Sequence, residues 1–351
     1  IPKSMKDLYV SLGMAKYERP NVMHGLENRQ ILKNMLCVRY QSDKKGITVN
    51  EDALPVGYTY DKIMHKEDYD SLTPLERQAA LLEYAVLDED GEKILEQQEK
   101  TFENGKSPSD DTITHGDLKI TESDRASYKG SRLKGKKHGK INLKFRTEKK
   151  SETYLVLKGL SSRSKVRKKQ ILSVKSKKAR FEIPMCAVSN EKEMNRDFIA
   201  VNLGVAQMGT CSLCFHKSHT YKLNDMEIRG ISESFIKEQT KERREESMTE
   251  VKQSTNRISG KISVSEDKIL QLAVPYSEGW HIYIDGKEAK TFTSSVAYTG
   301  VLIEKGEHTV EMHYISPWII PGTVLSVAAW IWMALSFAVK KRRISADKRI
   351  K

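Results

Sequence analysis

The chain is poor in cysteine: Cys37, Cys186, Cys211 and Cys214 are the whole complement of its 351 residues. That excludes a disulfide-built scaffold and leaves the fold to hydrophobic cores. One or two bridges would suit an oxidising location, but the spacing names no pairs. No glycine-rich phosphate loop is present, which removes the usual nucleotide cradle. The carboxylates Asp68, Asp70, Asp110, Asp111 and Asp197 are scattered, and no pair has a spacing that commits it to acid–base work. The start, IPKSMKDLYV, shows neither an initiator methionine nor a signal peptide. Long apolar runs are absent too, with one exception.

From Trp318 to Val339 the sequence reads WIIPGTVLSVAAWIWMALSFAV, 22 residues without a charge. As a helix they reach about 33 Å, enough to cross the hydrocarbon core of a bilayer. Pro321 falls in the first turn, where its missing amide hydrogen costs little. A buried core helix is the competing reading, but core helices seldom run this long without a polar face. Trp318 suits the outer interface. Trp330 and Trp332 lie past the midpoint and suit packing against other helices. The flanks orient the span. Residues 340–351 hold seven Lys/Arg, beginning with Lys340, Lys341, Arg342 and Arg343, against one Asp, a net +6. Residues 300–316 hold Lys305 against Glu304, Glu307 and Glu311, a net −2. The positive-inside rule then places the tail in the cytoplasm and residues 1–316 outside. A region so large needs export, so further membrane segments are expected upstream of Ile1. The rival, a tail-anchored protein with a cytosolic domain, leaves the basic tail on the wrong side.

The net charge of +13 is uneven. Residues 129–180 hold 20 Lys/Arg against Glu148 and Glu152, a net +18, which with +6 in the tail leaves −11 for the rest. Block and tail lie on opposite sides of the membrane in this reading and need separate explanations.

Residues 1–88 mix short helix and strand signals. LENRQILKNML (26–36) suits a helix, CVRYQ (37–41) a strand, and ALPVGYTYDKI (53–63) an extended segment. Thr73-Pro74-Leu75-Glu76 is a capping box, and it opens a helix over 74–87 with Leu75, Ala79, Leu82 and Val86 on one face. Residues 89–130 read as an acidic and polar linker with one strand at 112–119. From 140 the period becomes two: INLKFRT (141–147), TYLVLKGL (153–160), ARFEIP (179–184), FIAVNLG (198–204), TCSLCFH (210–216) and TYKLNDMEI (220–228) read as strands of a β-sandwich-like domain over 131–231. Residues 232–252 read as a charged surface helix with a thin apolar edge at Phe235, Ile236, Met248 and Val251. A second β-sandwich-like unit spans 253–316. In it Asp285-Gly286 turns one hairpin, with Trp280, Ile282 and Ile284 on one face, and Lys305-Gly306 turns another. The fold class is thus mainly β with some α: a mixed segment, two extracytoplasmic β-sandwich-like domains, one transmembrane helix (317–339) and a basic cytoplasmic tail (340–351).

Two stretches carry a family resemblance. LQLAVPYSEGWHIYIDGKEAK with TGVLIEKGEHTVEMHYISPW, followed by a last span and basic tail, resembles the C-terminus of bacterial YfhO-family membrane proteins. ALPVGYTYDKIMHKEDYDSLTPLERQAALLEYAVL is similar to the same family. Residues 90–230 match mainly in strand order. The resemblance implies a multi-pass protein of the bacterial cell membrane whose N-terminal membrane domain resembles glycosyltransferases that use polyprenyl-phosphate sugars. It implies glycosylation of lipoteichoic acid or a related envelope polymer outside the cell. In such glycosyltransferases the catalytic carboxylate sits on an early outer loop of the membrane domain, so the resemblance carries no catalytic residue over to this chain, and no cofactor is expected in it.

Several residue groups invite a functional reading. Cys211, Cys214, His216 and His219 are zinc-ligand types, but four ligands within nine residues can hardly surround one ion, and a strand points Cys211 and Cys214 to opposite faces. Ordinary strand and turn residues are the reading adopted, with no metal. The basic block has only Phe145 and Tyr154 to stack on bases, so nucleic acid is not the expected partner. An anionic envelope polymer or anionic headgroups fit better. Lys165, Arg167, Lys168 and Lys169 are the residues expected to attract the polymer, against a merely solvated basic surface. Tyr58 and Tyr60 share a strand face and are candidates for stacking on sugar rings, whereas Trp280 reads as core. Three functions compete: acceptor handling for a glycosyltransferase, a non-catalytic polymer- or carbohydrate-binding module, and a structural cap on a membrane bundle.

Overall fold

The computed structural model describes residues 3–14, 26, 28–43, 46–109, 111–162, 170–177, 180–185 and 197–347. The first part is mixed: α1 (Lys3–Ser11), α2 (Gln30–Met35), a hairpin of β1 (Tyr40–Asp43) and β2 (Gly46–Val49), then β3 (Gly57–Tyr60), β4 (Lys62–His65) and α3 (Lys66–Ser71). Thr73 opens α4 (Pro74–Glu83). The Glu76 carboxylate turns back and accepts from the Thr73 amide at 2.8 Å and hydroxyl at 2.7 Å. Leu75, Ala79 and Leu82 are buried, as the periodicity predicts. The helix ends before the Leu87 that periodicity suggests. Ala85–Leu87 leave as strand β5, because Ala85 and Val86 pair in parallel with Ile63 and Met64. A buried sheet position overrides helical pattern there.

Residues 89–130 are not a linker. Asp88 caps α5 (Glu89–Gln97) by accepting from the Gly91 amide at 3.0 Å. Then come β6 (Glu103–Asn104) and β7 (Ile113–Lys129), a strand of 17 residues. Most of β7 faces water, so its composition resembles a loop even though its backbone is paired.

β7 joins β8 (Arg132–Lys158), β9 (Ser161–Ser162), β10 (Gln170–Ser176), β11 (Arg180–Met185), β12 (Phe198–Phe215), β13 (His219–Lys222) and β14 (Asp225–Ser232) in one antiparallel eight-stranded sheet. INLKFRT and TYLVLKGL prove to be one strand, β8, and FIAVNLG and TCSLCFH another, β12. Bulges at Asn202/Gly204 and Ala206/Met208 keep β12 in step with β8. The curled sheet brings Leu143 and Leu157, from the same strand, into one core with Leu172, Ile183, Val201 and Leu213.

The rest comprises α6 (Glu233–Glu245), β15 (Thr249–Gln253), β16 (Arg257–Val264), β17 (Lys268–Pro275), β18 (Trp280–Ile284), β19 (Lys287–Ala289), β20 (Thr291–Ser294), β21 (Tyr298–Ile303), β22 (Gly306–Tyr314) and α7 (Ile319–Asp347). Asp285 (φ +51°) and Gly286 (φ +78°) turn the β18–β19 hairpin as expected. The turn at Lys305-Gly306 does not make a hairpin. β21 pairs with β17 and β20, β22 with β16 and β18, so this corner crosses between sheets. The five-stranded sheet β15-β16-β22-β18-β19 faces the seven-stranded sheet β3-β17-β21-β20-β5-β4-β6, with Ile262, Leu272, Ile282, Val301 and Met312 between them. A second core beyond the seven-stranded sheet joins Tyr60 and Tyr298 to Leu8, Ile31, Leu81 and Ile236. Pairing of Tyr60 with Ile269 and of Gly57 with Leu272 makes the amino-terminal segment and the last unit share one sheet. The eight-stranded sheet is inserted between those two halves. The fold is mainly β, and α7 is the single long apolar helix among the described residues: none of Pro321–Ala338 is buried.

Candidate functional site

Alternation on β8 sets the site. Ile141, Leu143 and Phe145 enter the core, so Lys140, Asn142, Lys144 and Arg146 must line the outer face. Register extends that face across the sheet: Cys214 lies opposite Lys140, Ser212 opposite Asn142, Lys175 opposite Ser212, and Arg180 opposite Lys175. Between these strands lies a cleft of about 580 Å³, with Lys140, Lys175, Lys177 and Arg180 on its walls and His138 and His216 beside them. A Cβ at Gly139 would lie 2.6 Å from the Arg125 carbonyl oxygen, so glycine is required where β8 turns along the rim.

The charges around the cleft are not equivalent. Arg180 pairs with Glu182 at 3.2 Å and donates to His216 Nε2 at 3.2 Å. An arginine can only donate, so His216 Nε2 accepts; it also lies 3.1 Å from the Ser173 hydroxyl. Lys140, Lys175 and Lys177 have no ion-pair partner among the described residues. Among the described residues, three ammonium groups without an ion-pair partner thus border one concave surface.

Other expected residues lie elsewhere. Lys165, Arg167, Lys168 and Lys169 fall outside the described residues. Tyr58 and Tyr60 are fully buried and cannot stack on a sugar. The Tyr58 hydroxyl accepts from Gln271 at 2.8 Å, and the Tyr60 hydroxyl donates to the Leu81 carbonyl at 2.7 Å. Both faces of β3 are covered, one by helices and one by the facing sheet, which alternation alone could not reveal. Trp280 packs on the inter-sheet core, 5.0 Å from the Tyr314 ring. Cys211 lies in the sheet core, where burial pushes its thiol up to about 12. That thiol stays protonated, whereas zinc binds thiolate. Cys214 and His216 lie on the opposite, outer face, and among the described residues no cluster of three or more His, Cys, Asp or Glu could hold a metal. Asp70 pairs with Lys66, and Asp111 with Lys149 at 3.0 Å; Asp110 lies outside the described residues. Trp318 stands 81% exposed just before α7, and Lys340, Lys341, Arg342 and Arg343 continue that helix.

A buried polar seam was not foreseen. Arg29 is fully buried and donates to the Leu12 carbonyl and Gln78 Oε1, both at 2.8 Å, and to the Ala200 carbonyl at 2.9 Å. Gln78 donates to the Tyr154 hydroxyl at 2.6 Å, and Asn202 to Glu152 at 2.7 Å. Burial pushes the Glu152 carboxyl up, although the Gln30 amide, the Arg29 charge and Asn202 oppose it. The seam fastens the inserted sheet to the helices.

Two solved structures show distant similarity at 8% identity each. A cycloisomaltooligosaccharide glucanotransferase of Paenibacillus sp. is covered over 45% of its length and 58% of this chain, with a TM-score of 0.21. The arabinofuranosyltransferase AftD from Mycobacteria is covered over 24% of its length and 57% of this chain, with a TM-score of 0.18. Neither score supports a shared fold. In Bacillus subtilis (strain 168), a protein named "Uncharacterized protein YfhO" is 22% identical over 142 residues, 40% of this chain and 16% of that protein. This chain thus matches only a small part of that relative's length. The family model described as "Bacterial membrane protein YfhO" matches residues 1–326, from α1 through both sheet systems into α7, and the chain belongs to that family of membrane proteins.

Proposed function

We propose that the β-rich region lies outside the cell and uses the basic cleft of the inserted sheet to hold an anionic envelope polymer such as lipoteichoic acid. In this reading the region handles the acceptor for a glycosyltransferase that draws sugar from a polyprenyl-phosphate carrier through the family's membrane domain. The observation that carries it is the group of three lysines, Lys140, Lys175 and Lys177, around one cleft and without an ion-pair partner among the described residues. The orientation follows from the net +6 of residues 340–351 beyond the span. No residue here is assigned a catalytic step.

The test is binding of purified lipoteichoic acid to the full chain in nanodiscs across a salt series. Each lysine near a dense anionic surface contributes about 1 kcal/mol. The K140S/K175S/K177S variant should therefore bind about a hundredfold more weakly at low salt. The difference should shrink as salt shortens the Debye length to about 8 Å and below. Equal affinity of variant and parent at low salt would overturn the proposal.

A further inference from the structure

Among the described residues, the β1–β2 hairpin pairs only within itself. Register sets Tyr40 opposite Val49 and Ser42 opposite Ile47, so Tyr40, Ile47 and Val49 share one face. All three are open to solvent, at 65%, 72% and 49% exposure. A lone two-stranded hairpin is marginal in water, and three large apolar side chains on its open face add to that cost. Arg39 lies 5.9 Å from the Tyr40 ring centroid. The sequence RYQSDKKGITV (39–49) carries three cations against one carboxylate. An apolar face with tyrosine, in a segment of net basic sequence, is the chemistry of a segment resting at an anionic membrane interface.

The root of the hairpin is tied close to the span. The Asn50 amide donates to the Arg39 carbonyl at 2.7 Å, and the Cys37 thiol to the Pro55 carbonyl at 3.1 Å. The next residue, Val56, accepts from the Ala273 amide at 2.7 Å. Four and five residues beyond Ala273, Ser277 and Glu278 line one surface recess with Pro317 and Trp318, where the chain enters α7. Four extended residues cover about 13 Å, and a hairpin with four paired residues per strand is about as long. The geometry points to this hairpin as a second membrane contact: the Tyr40–Ile47–Val49 face rests in the interfacial layer of an anionic bilayer beside the α7 span. It is independent of the basic cleft, which lies on another sheet, and rests only on α7 crossing the membrane.

The test places the photo-crosslinking residue benzoylphenylalanine in place of Ile47, or of Thr48 on the opposite face, in the full chain. Each protein is reconstituted in vesicles of phosphatidylcholine with or without phosphatidylglycerol, illuminated, and analysed by mass spectrometry for lipid adducts. The same residue in place of Trp330, inside the span, is the positive control. Lipid adducts at position 47 several-fold above those at 48, rising with phosphatidylglycerol, are the expected result. Equal yields at 47 and 48, with position 330 labelled, would overturn the inference. So would adducts at 47 that are crosslinks to protein, since a protein surface would then cover the face. A yield at 47 indifferent to phosphatidylglycerol would overturn the assignment to an anionic surface.

Discussion

Arg243 offers the sharpest test of how α6 is held to the sheet. Its side chain is 2% exposed, and its guanidinium donates to the Thr59 carbonyl at 2.9 Å, to Asp61 at 3.2 Å and to Glu242 at 2.6 Å. It also stands 4.8 Å from the Tyr60 ring centroid. Arg243→Met keeps length and volume but removes every donor. Breaking a buried pair costs about 3–5 kcal/mol. Asp61 and Glu242 are 30% and 40% exposed, however, so water recovers part of their charge and the ionic share is small. The Thr59 carbonyl hydrogen bond adds about 1–3 kcal/mol and the contact with the Tyr60 face about 1–2 kcal/mol. A net loss of about 3 kcal/mol follows, or a Tm lower by about 6–12 °C, read by near-UV circular dichroism in detergent. A double-mutant cycle with Asp61→Asn should show coupling of about 1 kcal/mol. Burial pushes the Asp61 carboxyl up, but the Arg243 charge and hydrogen bonds outweigh it and hold it below its usual range. A lowered folded pKa stabilises above the unfolded value and loses that contribution as pH falls through the folded one. The deficit of the variant should therefore narrow below about pH 4. A Tm within about 2 °C of the parent, or no coupling to Asp61, would refute this account of the clamp.

Two further perturbations probe the inserted sheet. Glu152 is 1% exposed with its carboxyl pushed up, and its Oε2 has no hydrogen-bond partner among the described residues. A raised folded pKa gives stability that is full below the unfolded value and lost as pH rises through the folded one. Glu152→Gln should thus flatten the stability profile above about pH 4.5, and parallel profiles of variant and parent would contradict it. A Cβ at Gly135 would lie 2.3 Å from the Phe215 ring, so Gly135→Ala should cost at least about 1–3 kcal/mol through overpacking. Phe215→Leu in the same chain should restore part of the lost Tm, and no restoration would show that the ring is not the obstacle.

What could be read from the sequence follows from where the signal resides. Thr73-Pro74-Leu75-Glu76 and Asp285-Gly286 act through neighbouring atoms, so both motifs gave the right local structure. INLKFRT is legible as a strand by its alternation, and the structure shows that this alternation puts Ile141, Leu143 and Phe145 inward. The strand expected at 112–119 covers only the start of β7, because the rest of that strand, with one open face and many charges, has the composition of a loop. Helix 74–87 was overextended because a parallel partner, β4, is invisible to periodicity. Lys305-Gly306 was read as a hairpin because a corner between two sheets uses the same residues as a turn within one. Tyr58 and Tyr60 were read as open because alternation reports which residues share a face but not what covers it. The basic cleft draws its lysines from the block 129–180, yet Lys140, Lys175 and Lys177 meet only through pairing of β8, β10 and β12, a tertiary fact.

The same pairing raises the question of whether the cleft can move relative to the span. The inserted sheet enters and leaves side by side: Ile113 pairs with Ile231, and the Ser232 amide donates to the Thr112 carbonyl at 2.9 Å. Such adjacent ends are what an independent, hinged domain would have. The seam argues the opposite. Tyr154, Val156, Ala200 and Ile231 from the insert sit in the same core as Leu82 and Tyr60, and the Ala200 amide donates to the Gly13 carbonyl at 2.9 Å. A hinge would uncover these side chains and leave Arg29 and Glu152 without their partners across the seam. Re-exposing Val156 and Ile231 alone costs about 1.5–3 kcal/mol each. Residues 113–232 expressed alone should therefore exchange the amides of β8 and β12 faster than the full chain does, by roughly a hundredfold or more for a loss of about 3 kcal/mol. Equal protection in both forms would mean that the seam is only a contact and that the cleft swings freely. Unequal protection means that a polymer held in the cleft is held at a fixed place relative to the α7 span.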